Sequence, residues 1–201
     1  YYVTAVDKVA INPHESGASN TISVIIGSGG SGSGNGSNTN GTGGTNLFAR
    51  TSDGVFLSTN NGTSWRAAGT PFSDFSEMAH IGTNLFAGTS GGVYLSSNNG
   101  TSWTAVNNGL TNLFVYSLTV SGTNLFAGSA FGNLFLSTDN GASWNPSNAG
   151  LPSGTGATVR SLGSDASGNL FAGTDGSGAH RSTDNGTTWN PINTGLTDLL
   201  V

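Results

Sequence analysis

Cysteine is absent from this chain, and charge is scarce. Without thiols there is no disulfide framework and no thiolate metal site, so packing and backbone hydrogen bonds must hold the fold. Only five Lys and Arg occur in 201 residues, against ten Asp and Glu, for a net charge of −5. Nucleic acid and anionic membrane surfaces both need clustered cations, so neither is expected as a partner. No apolar run approaches the ~20 residues of a membrane-spanning helix, and membrane insertion is not expected. No signal peptide is visible, and the chain starts at Tyr1 rather than Met, the expectation for a processed product or a fragment. Helical periodicity is missing too, because no stretch of ten or more residues lacks a breaker.

What is abundant is Gly, at 33 residues, with Ser, Thr and Asn filling most polar positions. An uncharged polar surface of this kind suits an exported or cell-surface protein. The length allows one domain with a substantial core.

The chain is organised by repetition. "TNLFAR" (45–50), "TNLFAG" (83–88), "TNLFAG" (123–128) and "GNLFAG" (168–173) place Asn46, Asn84, Asn124 and Asn169 at spacings of 38, 40 and 45. Each is followed by an octapeptide: "STNNGTSW" (58–65), "SSNNGTSW" (96–103), "STDNGASW" (137–144) and "STDNGTTW" (182–189). Their tryptophans, Trp65, Trp103, Trp144 and Trp189, are spaced by 38, 41 and 45. Two landmarks that drift together define one duplicated unit with variable loops. Within the third unit, "VYSLTV" (115–120), "NLFAG", "NLFLS" (133–137) and "SWNPSN" (143–148) read as four short strands separated by turns. Four strands in about forty residues make the unit of a propeller blade. The expected fold is all-β, a β-propeller of about four to five four-stranded blades.

The expected units are 45–82, 83–122, 123–167 and 168–201. Ahead of them lie an N-terminal strand segment, 1–26, and a Gly/Ser/Asn-rich loop or linker, 27–44. In the first, "VDKVAINP" (6–13) spaces Val6 and Val9 as Val115/Leu118 and Val159/Leu162 are spaced, which fits a first strand. "TISVIIG" (21–27) then reads in two ways: as a degenerate "TNLFAG", giving half of a fifth blade, or as the first strand of the first full repeat. At the other end "NTGLTDLLV" (193–201) repeats the lead-in "NNGLTNLFV" (107–115), so Val201 stands where a further first strand would begin. Such a strand would close a ring, continue into a larger protein, or pair with another copy of the chain.

Each octapeptide residue has a local structural role. Asn-Gly supplies positive φ for a tight turn. The Asp or Asn oxygen and the Ser hydroxyl can accept bonds from N–H groups of their own loop. The Trp brings a large apolar area to the next strand.

The pattern Ser-x-Asp-x-Gly-x-x-Trp resembles the Asp-box, or bacterial neuraminidase repeat, of a β-propeller family. It is met at Ser137, Asp139, Gly141, Trp144 and at Ser182, Asp184, Gly186, Trp189. At Ser58, Asn60, Gly62, Trp65 and at Ser96, Asn98, Gly100, Trp103, Asn replaces the Asp. The resemblance covers about residues 45–196 and implies a structural hairpin on the blade periphery. It occurs in sialidases, xyloglucan hydrolases, sorting receptors, assembly factors and secreted bacterial proteins, so it implies a fold rather than an activity. An amide cannot titrate, and Asn60 and Asn98 therefore argue against proton transfer by the motif.

Sialidases need an arginine trio, a Tyr–Glu nucleophile pair and an acid. Here there are four arginines (Arg50, Arg66, Arg160, Arg181), two glutamates (Glu15, Glu77) and no "RIP" triplet. A glycan hydrolase needs two placed carboxylates, and the best pair is Asp74 with Glu77, near a first strand. The other acids outside the octapeptides are Asp7, Glu15, Asp53, Asp165, Asp175 and Asp198, and the favoured reading of Asp74 and Glu77 themselves is as solvated turn residues. His14, His80 and His180 lack metal-ligand spacing, and "STDNG" falls short of a calcium loop. His180 takes the position of Phe56, Tyr94 and Phe135, so it is expected to pack as an aromatic substitute. The sequons at Asn35, Asn40, Asn61, Asn99 and Asn185 are explained in three cases by the repeated turn.

No catalytic residue, metal or cofactor is expected. The leading expectation is a non-catalytic, secreted or surface-exposed binding or scaffold module that meets a protein or glycan at its loop face. The candidate contacts are Phe72, Phe75, Phe114 and Phe131, in or beside the variable loops. The alternative is a self-assembling extracellular subunit, a homo-oligomer or filament, with strands exchanged at the termini. A glycan hydrolase ranks third.

Overall fold

The computed structural model describes residues 24–28, 45–51, 54–60, 62–154 and 156–200. The strand expected at 6–13, Asp7, His14, Glu15, Asn35, Asn40, Asp53, Asn61 and most of the Gly-rich segment lie outside the described residues.

Among the described residues sixteen strands form four antiparallel sheets, each a simple up-and-down meander of four consecutive strands. Sheet 1 holds β1 (Val24–Ser28), β2 (Thr45–Thr51), β3 (Gly54–Ser58) and β4 (Arg66–Ala67). Sheet 2 holds β5 (Glu77–Ile81), β6 (Asn84–Thr89), β7 (Gly92–Ser96) and β8 (Thr104–Ala105). Sheet 3 holds β9 (Val115–Ser121), β10 (Asn124–Ser129), β11 (Leu134–Ser137) and β12 (Asn145–Pro146). Sheet 4 holds β13 (Val159–Ser164), β14 (Leu170–Thr174), β15 (Gly178–Ser182) and β16 (Asn190–Pro191). The first strands lie against one another in series, β1 on β5, β5 on β9 and β9 on β13. These are the blades of a β-propeller. The one helical element among the described residues is a 3-10 turn, Ala130–Gly132, between β10 and β11.

The pairing of β1 with β2, Val24 opposite Ala49 through Ser28 opposite Thr45, selects between the two readings of "TISVIIG". It is a first strand. It also runs through Gly27 and Ser28, past the boundary expected for the Gly-rich segment.

The "NLFAG" segment is the second strand of its blade and is buried on both sides. Successive side chains point to opposite faces of the sheet. Leu125 and Ala127 therefore turn back toward sheet 2 and cluster with its Phe86 and Val93 and with Val115 of their own sheet. Phe126 turns forward and clusters with Val159, Leu170, Ala172 and Trp189 of sheet 4. Phe48 does the same toward Phe75, Met78, Leu85 and Trp103 of sheet 2. The described residues thus form three apolar clusters, each lying at a sheet–sheet junction.

Two glycine positions explain how closely the sheets approach. A Cβ on Gly88 would lie 2.7 Å from Val115 Cγ1, and one on Gly128 would lie 2.6 Å from Val159 Cγ1. Only a residue without a side chain lets the next blade's first strand settle there. Hydroxyls reinforce the same contacts: Ser76 Oγ donates to the Val115 carbonyl at 2.5 Å and Ser117 Oγ to the Val159 carbonyl at 3.1 Å.

His180 sits opposite Ala172, in the register of Phe56, Tyr94 and Phe135 opposite Ala49, Ala87 and Ala127. It is buried and acts as a packed ring, with Nδ1 lacking a hydrogen-bond partner among the described residues. Burial holds its pKa below the ordinary 6.5.

Phe86 is fully buried at the junction of sheets 2 and 3. Phe86→Ala is expected to lower the free energy of unfolding by about 3–5 kcal/mol, because both the transfer energy and a cavity are at stake. Urea denaturation followed by tryptophan fluorescence measures this loss.

Candidate functional site

The octapeptide turns come first, because they are the most repeated chemistry in the chain. In the third, Asp139 Oδ1 accepts from Ser137 Oγ at 2.8 Å and from the Ser143 N–H at 2.9 Å. Its Oδ2 accepts from Ser143 Oγ at 2.5 Å. Ser137 Oγ in turn accepts the Gly141 N–H at 2.8 Å. The fourth turn repeats these bonds with Ser182, Asp184, Gly186 and Thr188. Asn140 and Asn185 carry φ of 57° and 56°, and the glycines that follow carry 83° and 79°. The Asn-Gly pair thus provides two successive left-handed residues, which a non-Gly, non-Asn pair adopts only with strain.

The Asn-bearing turns reach the same geometry by reversing one bond. Asn60 Oδ1 accepts from Ser58 Oγ and from the Ser64 N–H, both at 2.9 Å. Its Nδ2, unlike a carboxylate oxygen, donates, and Ser64 Oγ accepts at 2.8 Å. Asn98 and Ser102 do likewise. A hydroxyl donates or accepts as required, so the Ser or Thr six residues after the first Ser makes Asp and Asn interchangeable. The motif therefore spends its polar atoms on its own turn.

Its glycine and tryptophan serve the preceding blade. A Cβ on Gly100, Gly141 or Gly186 would press on Phe48, Phe86 or Phe126, at 2.3, 3.1 and 2.6 Å. The forward-facing Phe of each blade thus rests on the octapeptide glycine of the next. Trp144 Nε1 donates to the Val106 carbonyl at 2.7 Å and Trp189 Nε1 to the Ser147 carbonyl at 2.8 Å, in each case the exit of the preceding blade. Trp103 instead donates to its own Gly100 carbonyl and meets Phe48 edge-on, with ring centroids 6.0 Å apart.

The acids differ in what holds them. Asp139 and Asp184 are held near pKa 2, first by the Ser143 and Thr188 hydroxyls and then by the backbone and Ser bonds of their turns. Asp165 is lowered by Asn169 and its own loop. Asp175 accepts from Arg160, whose Nη2 lies at 2.6 Å. Glu77 differs: it is partly buried between blades, and burial raises its pKa to about 7, opposed by the Leu118 N–H that donates to Oε2 at 3.2 Å. Asp74 is half-buried, and no hydrogen bond among the described residues joins it to Glu77. No cluster of three His, Asp or Glu suited to a metal occurs among the described residues.

The variable loops share the end of the blades opposite the octapeptide turns, because successive strands alternate in direction. Here Asn112 Nδ2 donates to the Ala130 carbonyl at 3.4 Å, and the Gly154 N–H donates to the Phe131 carbonyl at 3.2 Å. The loop before β9, the β10–β11 turn and the loop before β13 thereby form one surface. Phe114 is 56% exposed on it and Phe131 52%, the latter with φ of 64°. The other two candidate contacts are corrected. Phe75 is fully buried as the sheet 2 counterpart of Val115, and Phe72 is half-buried against Tyr94 and Trp103, at 5.1 and 5.3 Å.

Two residues missed in the sequence belong to this surface. Register shifts fall at Tyr116 in β9 and at Arg160 in β13, which releases both side chains from the ladder. Arg160 lies over the Tyr116 ring, 4.6 Å from its centroid, with Asp175 alongside. Their signal was the break in alternation after Val115 and Val159.

No family model matches the chain, and no curated protein does. Solved structures do match in fold. An ancestral GH74 enzyme is 21% identical with a TM-score of 0.62, over 74% of this chain and 23% of that one. The extracellular domain of BT4673 from B. thetaiotaomicron is 18% identical with a TM-score of 0.58, over 73% and 21%. PorZ, a bacterial surface component of the type-IX secretion system of Porphyromonas gingivalis, is 14% identical with a TM-score of 0.53, over 73% and 25%. The chain spans about a quarter of these proteins' length. The likeness is one of fold, the β-propeller.

The double variant Asp139→Asn, Asp184→Asn is expected to stay folded with an unchanged circular dichroism spectrum. The parent's two carboxylates are depressed in the folded state, so their contribution is present above the unfolded value of 3.8 and lost as pH falls toward 2. Acid titration of the variant should lose that component of unfolding. Glu77 has the opposite sign. Its folded pKa is raised, so its contribution is present below 4.5 and lost as pH rises through about 7. Glu77→Gln should therefore gain stability relative to the parent between pH 4.5 and 8, read as a rising difference in urea midpoint.

Proposed function

We propose that this chain is a non-catalytic, exported or cell-surface propeller module built from Asp-box repeats, which binds a protein or glycan through its loop face. The observation that carries this reading is the exposure of Phe114 and Phe131 on a surface braced by the Asn112 side chain and the Gly154 N–H, which donate to the Ala130 and Phe131 carbonyls, beside the Arg160–Tyr116 stack. Large aromatic rings exposed on a rigid frame bury area at little entropic cost, and Arg beside them adds hydrogen-bonding reach. Sugars stack on such rings, and partner proteins bury them.

The chemistry elsewhere supports a binding role over turnover. Hydrolysis of a glycoside calls for two carboxylates placed about 5–9.5 Å apart across the bond. Here burial raises the pKa of Glu77, and its carboxylate is taken up by the Leu118 N–H between blades. The sparse charge, the uncharged polar surface and the fold shared with extracellular domains support the exported setting.

A glycan array probed with the parent and with Phe114→Ser, Phe131→Ser tests the reading. The parent should retain specific glycans, and the double variant should lose at least tenfold in affinity with its melting temperature unchanged, since both side chains are already exposed. Equal binding by both proteins counts against the loop face. Turnover of a reporter glycoside by the parent that Glu77→Gln abolishes would overturn the non-catalytic reading.

A further inference from the structure

The Phe-on-Gly contact recurs at all three junctions, the junctions of sheets 2–3 and 3–4 add tryptophan hydrogen bonds to it, and among the described residues the two outer faces of the four-blade array carry the two unmatched halves. At the junction of sheets 2 and 3, Phe86 rests on Gly141, Trp144 Nε1 donates to the Val106 carbonyl, and the Trp144 N–H donates to the Asn108 carbonyl at 2.9 Å. At the junction of sheets 3 and 4, Phe126 rests on Gly186, Trp189 Nε1 donates to Ser147, and the Trp189 N–H donates to Ala149 at 2.8 Å. Gly109 and Gly150 permit the last bond. A Cβ on either would lie 2.1 or 2.2 Å from the Trp carbonyl it faces.

Sheet 4 presents the same forward half without an occupant among the described residues. Phe171, in the register of the fully buried Phe86 and Phe126, is half-buried. Gly195, the counterpart of Gly109 and Gly150, would meet nothing within 4 Å. Leu196 is exposed where Leu110 is buried. Ser161, the counterpart of the bonded Ser117, is exposed. Leu162, Phe171, Ala179 and Ile192 line a groove of about 310 Å³ along this face, and its walls are almost wholly apolar.

Sheet 1 presents the backward half. Among the described residues a Cβ on Gly62 would meet only Leu47 and Trp65 of its own blade, where the other three octapeptide glycines meet a preceding Phe. Trp65 is 40% exposed, against 9%, 3% and 2% for Trp103, Trp144 and Trp189.

We propose that the outer face of sheet 4 is a socket for sheet 1 of a second copy of this chain, so that copies join head to tail by a fourth junction of the internal kind. Phe171 rests on the second copy's Gly62, and Trp65 covers the Phe171–Ile192 groove. The Trp65 Nε1–H donates to the Ile192 carbonyl and its main-chain N–H to the Thr194 carbonyl. These groups are the counterparts of the Val106, Ser147, Asn108 and Ala149 acceptors. A second copy is the occupant argued for because sheet 1 is an octapeptide blade whose glycine and tryptophan meet no preceding blade among the described residues. The junction is heterologous, so it propagates until the rotation per copy closes a ring or leaves a filament. It uses whole-blade packing and exchanges no strand. It also leaves the loop face clear, so it stands or falls apart from the binding reading above.

The test is light scattering of the full chain across a concentration series, with Trp65→Ala and Phe171→Glu as variants. The parent should form larger species as concentration rises. Each variant should raise the half-association concentration by roughly 30-fold or more, as the loss of a buried aromatic anchor does. An equimolar mixture of the two should yield discrete heterodimers, because each variant retains the half that the other lacks. A protein that does not fold cannot complement, so the mixture separates loss of the junction from loss of structure; Ile192→Glu, an exposed position on the same face, replaces Phe171→Glu if that variant is unfolded. A parent that stays monomeric throughout overturns the proposal, whether solvent or residues 1–23 of the same chain cover the face. So do oligomers that both variants leave unchanged, and variants that fail to complement.

Discussion

The contact between a phenylalanine and a glycine holds this architecture in order. Phe48, Phe86 and Phe126 each project from a second strand onto the octapeptide glycine of the following blade. The glycine can be there because Asn-Gly supplies two left-handed residues, and the Phe can reach it because the second strand alternates faces. Burying a Phe side chain contributes about 1.5–3 kcal/mol. With so few charges in the chain, apolar contacts of this kind and the hydrogen bonds around them are the main means by which one blade recognises the next.

From that contact the other repeated features follow. "NLFAG" needs Leu and Ala for the blade behind, Phe for the blade ahead, and Gly so that the next first strand can settle. The turn Asn-x-Gly-Leu at 107–110, 148–151 and 193–196 caps the blade it leaves. Asn107 Oδ1 accepts the Val93 N–H and Asn193 Oδ1 the Ala179 N–H, both at 2.8 Å. At Asn108 and Ala149 the same turn offers a carbonyl to the next tryptophan. A duplicated sequence is thus a duplicated interface, in which each unit is both a surface and its complement.

Much of this was legible in the sequence because the repeats recur with little drift. The strands of the third unit, the turn role of the octapeptide and the packing of His180 could all be read by comparing registers. The loop face was harder. "PFSDF" looks like a variable loop with two spare aromatics, yet Phe75 occupies the core position of Val115 and Val159, and its spacing to Met78 carried that information. Tyr116 and Arg160 were harder to read for a different reason. A bulge adds one residue to a strand, and the side chain it frees looks in sequence like one more member of the ladder. The meaning of Trp65 also eluded the sequence, since its four motif tryptophans are equivalent until the neighbouring blade is seen.

The reversible hydrogen bond at Ser64, Ser102, Ser143 and Thr188 has a consequence for how such a chain can change. Because the hydroxyl serves either an amide or a carboxylate, the third residue of each octapeptide carries charge that the backbone does not register. Four positions, set around the array at regular intervals, can gain or lose a unit of charge with the blade geometry preserved. Two are charged in this chain and two are not, and exchanging both would move a net charge of −5 by two units. Surface potential and acid tolerance can therefore drift one blade at a time, independently of the stacking that makes the propeller.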